Sequence, residues 1–164
     1  MRTFSWKRLI GVVVSALLTT VGAVAVASPA QAAWGSQIPF TLNTFVSSTP
    51  VGYASGWIQF ETNGTTFRYQ VTVCRQSGYL LPQLNIYVNA PSVGTSHGTY
   101  LANATPSYSG TTTGSPCYSS YGTRSGQHSY PNLNNVRFVL TGGTFSHSNQ
   151  LVTDEDFNRI VNPY

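Results

Sequence analysis

Charge is what this chain has least of. Only 7% of its 164 residues are charged, and the acidic ones are Glu61, Asp154, Glu155 and Asp156. Lysine does not recur after Lys7. Past residue 32, Arg68, Arg75, Arg124, Arg137 and Arg159 stand against those four carboxylates, a net charge of +1. With no basic run and no arginine-rich face to neutralise phosphates, nucleic acid is not an expected partner. Carboxylate catalysis has equally little material. A paired-carboxylate glycosidase needs two acids across one sugar ring, and only Glu61 with a member of Asp154–Asp156 qualifies. Cysteine is almost as scarce. Cys74 and Cys117 are too few for a closed thiolate zinc site, and no histidine lies at ligand spacing from either. No stretch has the apolar period of a three-turn amphipathic helix, and no segment repeats.

The first thirty-two residues carry an export signal. Arg2, Lys7 and Arg8 form a basic start, and Leu9–Ala27 follows without a charge. Ser28-Pro29 and the small triplet Ala30-Gln31-Ala32 come next. Basic, apolar and A-x-A parts in that order read as a cleaved secretory signal over 1–32. Cleavage is expected before Ala33, with Ala25-Val26-Ala27 as the alternative site. No basic stop-transfer cluster follows the apolar run, and the C-terminal residues 160–164 hold no apolar tail. A secreted, extracellular protein without a transmembrane anchor is therefore expected. In an oxidising compartment an isolated cysteine pair forms one disulfide, Cys74–Cys117.

Residues 33–164 have the length of one domain with one core. The strongest local signal within them is a hairpin. Trp57–Thr62 leads through Asn63-Gly64 into Thr65–Val73, and Asn-Gly between alternating runs predicts a type I′ turn. That turn sets Phe60 opposite Phe67 and Ile58 opposite Tyr69. Alternation then assigns Ile58, Phe60, Phe67, Tyr69, Val71 and Val73 to the core, and Trp57, Gln59, Glu61, Thr66, Arg68 and Gln70 to the outer face. Further strands are predicted with Ile38, Phe40 and Leu42, with Leu84, Ile86 and Val88, and with Val136, Phe138 and Leu140 turned inward. Pro39 marks an edge or a strand start, and Gly142-Gly143 is expected to end the last run. Thr153–Val161 fits either a short capped helix or a final strand. Short strands with turn signals and no helix predict an all-β fold, a single small β-sandwich or short barrel. A Ser/Thr/Gly/Tyr-rich insert at about 99–131 carries Tyr100, Tyr108, Tyr118, Tyr121 and Tyr130. Cys117 is expected to tie it to the core.

Gly94-Thr95-Ser96-His97-Gly98 fits G-x-S-x-G. That nucleophile elbow requires a following helix and the order serine, acid, histidine. Neither is present, so the segment reads as a loop. Asp154–Asp156 lacks the spaced ligands and glycine of a calcium loop and reads as a solvated acidic turn. His97, His128 and His147 are widely separated and read as surface or loop residues. No catalytic residue, metal or cofactor is expected.

The outer face of the hairpin is different. An indole beside amide, guanidinium and carboxylate groups suits a neutral sugar, whose ring stacks while its hydroxyls bond the planar polar groups. Trp57, Gln59, Glu61, Arg68 and Gln70 are therefore the expected ligand-binding set. The plainer reading makes Trp57 a cover for a second layer and Glu61–Arg68 a surface ion pair. The expected function is a small secreted non-enzymatic binding or surface-associated module, with glycan or cell-wall polysaccharide as ligand. A secreted protein-interaction domain, an inhibitor or toxin-like effector using the tyrosine-rich insert, is the alternative. A small hydrolase comes third.

Overall fold

The computed structural model describes residues 33–94, 96–111, 114–117 and 120–164; the segment read as an export signal, Thr95 and Tyr118 lie outside them. Residues Ala32–Tyr164 form one compact unit. Among the described residues nine strands follow in order: β1 Ile38–Val46, β2 Thr49–Phe60, β3 Thr66–Arg75, β4 Gln83–Val88, β5 Thr99–Asn103, β6 Gly110–Thr111, β7 Ser120–Ser129, β8 Asn135–Phe145 and β9 Leu151–Val161. They build two sheets, β1-β2-β3-β7-β6 and β5-β4-β8-β9, packed face to face as a β-sandwich. All paired strands within each sheet are antiparallel.

The core follows the alternation. Ile58, Phe60, Phe67, Tyr69, Val71 and Val73 are buried from the first sheet, and Leu84, Ile86, Val88, Val136, Phe138 and Leu140 from the second. Phe40 and Phe138 stack across the gap with ring centroids 4.3 Å apart. Burying each such side chain contributes roughly 1.5–3 kcal/mol. Pro39 is the second residue of β1, which is an edge strand, where its missing N–H costs no ladder bond.

The hairpin keeps the expected register, with Phe60 opposite Phe67, Ile58 opposite Tyr69 and Trp57 opposite Gln70. Its turn differs from the expectation. Gly64 has φ 73° but Asn63 is not in the left-handed region, so type I′ does not form. Instead the Gly64 amide donates to the Glu61 carbonyl at 2.9 Å, and the Thr65 amide donates to Asn63 Oδ1 at 2.9 Å. The asparagine side chain holds the turn by acceptance rather than by its backbone conformation.

Two further expectations are corrected. β8 runs straight through Gly142-Gly143, where Gly142 lacks the Cβ that would lie 2.3 Å from Thr44 Oγ1. The glycines admit close neighbours and do not end the strand. Residues Thr153–Val161 belong to β9, a strand, so Asp154–Asp156 is no turn. Asp156 accepts the Asn43 amide at 2.7 Å and Asp154 accepts the Phe45 amide at 3.0 Å. The two carboxylates thus occupy the outer N–H row of β1 and close one flank of the sandwich. The Ser/Thr/Gly/Tyr-rich segment at 99–131 contains β5, β6 and β7 among its described residues and carries the chain from the second sheet back to the first. Cys74 and Cys117 are disulfide-bonded, with Cα atoms 5.5 Å apart.

Candidate functional site

The outer face of the first sheet is laid out by register. Pro39, Trp57, Gln70 and Ser125 form one row across four strands, and Gln59, Arg68 and Gln127 form the next. A third row carries Thr41, Ser55, Thr72 and Thr123. Rows succeed one another along the strands at about 6.6 Å, two residues of rise. Apart from the Arg68 guanidinium, the face therefore presents hydroxyls and amides around the Trp57 indole. Trp57 is half-buried and Gln70, Ser125, Gln127, Thr41 and Thr123 are exposed.

Beside Trp57 lies an open groove of about 540 Å³, lined by Gln37, Pro39, Phe40, Thr41, Ser55, Gly56 and Trp57. Gly56 is required at its floor, since a Cβ there would lie 2.1 Å from the Gln70 carbonyl oxygen.

The five residues read from the sequence divide into two groups. Trp57 and Gln70 stand together on the open part of the face. Gln59 and Arg68 bind each other, with Arg68 Nε donating to Gln59 Oε1 at 2.9 Å. Gln59 Nε2 donates to the Gly35 carbonyl, also at 2.9 Å. The Arg68 guanidinium lies 4.3 Å from the centroid of the Trp34 ring, a cation–π contact. Glu61 bridges to Trp34 through the backbone, and the Glu61–Arg68 ion pair that sequence suggested is replaced by the Trp34–Arg68–Gln59 chain. Gln59 and Arg68 are consequently fixed in orientation, with part of their bonding capacity already used inside the protein.

Trp34 is the residue that strand patterning missed. It precedes β1 and belongs to no alternating run. Two bonds, Gly35 N to Phe60 O and Thr62 N to Ala33 O, both 2.9 Å, hold this short arm against the end of β2. A tryptophan placed one segment before an edge strand was the only available signal.

The second sheet carries a different outer surface. His97 Nε2 and Glu155 Oε2 are 3.1 Å apart, and the imidazole lies beside Tyr87 and Phe157. Arg137 is buried beneath the loop that follows β4, donating to the Ser96 and Pro91 carbonyls at 2.8 and 3.0 Å. Burial, and then the neighbouring Arg159, hold its guanidinium below the usual arginine range. Ser96 Oγ accepts the Gly98 amide, and no helix follows among the described residues. Glu61 and Asp154 lie at opposite ends of the sandwich, since Glu61 follows β2 while Asp154 serves Phe45, just before β2 begins. Among the described residues no three His, Cys, Asp or Glu side chains gather to hold a metal.

The tyrosines of 99–131 do not share one surface. Tyr108 and Tyr130 pack against the core, and Tyr108 donates its hydroxyl to the Pro82 carbonyl. Burial raises the Tyr108 phenol far above its usual range. Tyr100 and Tyr121 are exposed, but on different sheets. No family model matches this chain, and no curated protein or solved structure shows significant similarity to it.

Proposed function

We propose that the protein is an exported, non-enzymatic binding module that holds a neutral glycan or cell-wall polysaccharide on the outer face of its first sheet. The observation that carries this reading is the groove at Trp57, where an indole stands among hydroxyl and amide groups and few charges. A sugar ring stacks its C–H face on the indole, and its hydroxyls take up Ser55, Thr41 and Gln70. Trp34, Arg68 and Gln59 form the wall beyond, pre-oriented by their mutual contacts. Fixing them before the ligand arrives lowers the ordering cost of binding. Export is supported by the apolar N-terminal run and by the disulfide, which persists in oxidising compartments.

Co-sedimentation with insoluble neutral polysaccharides tests the proposal. The protein is expected to pellet with at least one of them, and Trp57→Ala to lose at least about 2 kcal/mol of binding, some thirtyfold. Retention by a polymer that is unchanged in Trp57→Ala would refute this site.

A further inference from the structure

The two flanks of the sandwich are treated differently. On one, Asp154 and Asp156 occupy the outward amides of β1. On the other, β6 pairs with β7 only at Gly110–Tyr121 and Thr111–Ser120. From Thr123 to Ser129 the second edge of β7 has no backbone partner among the described residues, while Pro106 and Ser107 lie against Gly122. In an antiparallel ladder every second residue turns both N–H and C=O away from its neighbour, so this stretch offers an alternating row of donors and acceptors to the outside. Natural edges are blunted with proline, lysine, bulges, covering loops or inward-pointing charges, and of these the stretch carries Arg124 on the core-facing side, opposite Val71. The sequence Gly122-Thr123-Arg124-Ser125-Gly126-Gln127-His128-Ser129 has neither proline nor lysine, and its pairing with β3 shows no register shift. Thr123, Arg124, Ser125, Gln127 and Ser129 are exposed.

Charge indicates what fits there. Arg124 donates to the Thr105 carbonyl at 3.0 Å and bonds the Tyr69 phenol, which fixes its guanidinium at the edge. The only ion pair among the described residues is His97–Glu155, on the other sheet, so no carboxylate lies against Arg124. His128 shares its side of the strand, with its imidazole held below the usual value by burial and then by Arg124. Asp154, Asp156 and Glu155 are engaged at the β1 flank and on the other sheet and do not reach this edge. We infer that the free edge of β7 takes an extended peptide as an added strand, and that this peptide carries an acidic side chain in register with Arg124. The bound strand would continue the ladder that β6 begins, a mode in which main-chain bonds give affinity and alternate side chains give selectivity.

The test is an amide spectrum of the isotope-labelled, oxidised protein titrated with blocked peptides of alternating threonine and valine. One peptide carries a central aspartate, one an asparagine there, and one the aspartate with N-methylated alternate amides. The aspartate peptide is expected to shift and protect amides within 122–129. The asparagine peptide, or Arg124→Gln protein, should bind roughly tenfold more weakly. N-methylation should abolish the effect. Three results would overturn the inference: no change in β7 amides at millimolar peptide, equal binding by the N-methylated peptide, or peptide-independent protection that rises with protein concentration. The last would assign the edge to a second copy of the chain.

Discussion

His128 stacks on Tyr69 with ring centroids 6.0 Å apart and an interplanar angle of 8°, at the margin of the core. Burial and the Arg124 charge both favour its neutral form, so its pKa in the folded protein lies below the ordinary 6.5. The unfolded chain then binds more protons in the window between the two values. The stabilising contribution is complete above about pH 6.5 and falls away as the pH drops through the folded value. Denaturant unfolding at a series of pH values should show this loss, and His128→Gln should flatten that part of the profile. An unchanged profile in the variant would show that another group governs the acid side. Gly126, between Arg124 and His128, tests packing at the same place. A Cβ there would lie 2.7 Å from the Tyr69 hydroxyl and ring. Because Tyr69 is 2% exposed and has nowhere to retreat, Gly126→Ala should destabilise by about 1–3 kcal/mol. A loss below about 0.5 kcal/mol in an unfolding curve would mean the ring moves freely.

Among the elements, β2 and β3 were legible in the sequence and β9 was not, for a physical reason. Alternation reports a strand when one face meets an apolar layer. Phe60, Phe67, Tyr69, Val71 and Val73 meet that condition, so their register could be derived from an Asn-Gly pair even though the turn takes another geometry. On β9 the inward positions near Leu151 are Asp154 and Asp156, which face the amides of β1 rather than the core. Their polarity erased the period-two pattern. Arg137 escaped in a similar way: β8 is central, and the Pro91 and Ser96 carbonyls of the loop after β4 cover this side chain. The site divides along the same line. Trp57 and Gln70 came from the hairpin register. Trp34 and the groove residues of β1 depend on contacts between segments that carry no shared pattern. The carboxylate closure makes its own prediction. Asp156→Ala leaves the Asn43 amide without its charged acceptor and should cost about 1.5–3 kcal/mol. Asp156→Asn, which can still accept, should recover part of it. Equal stability of all three proteins would remove Asp156 from the account of the β1 flank.

At the scale of the whole molecule, the sandwich depends on distant pairings: β3 with β7, and β1 against the side chains of β9. The disulfide joins residues 43 apart and ties the end of β3 to the segment before β7. In the chain-entropy account, closing a loop of this size restricts the unfolded state by roughly 4 kcal/mol. Replacing Cys74 and Cys117 with alanine and serine should lower unfolding stability by about that amount while leaving the far-ultraviolet spectrum unchanged. A loss under about 1 kcal/mol would show that the paired strands already fix this connection. None of these structural tests bears on the ligand. The indole on the outer face is probed by tryptophan fluorescence during glycan titration in a Trp34→Phe background, where Trp57 is the one tryptophan past residue 34. A saturable change with a neutral oligosaccharide, absent when Trp57 is also replaced, is the predicted result. An indole signal that stays constant while the polysaccharide binds would place the ligand elsewhere and contradict the account.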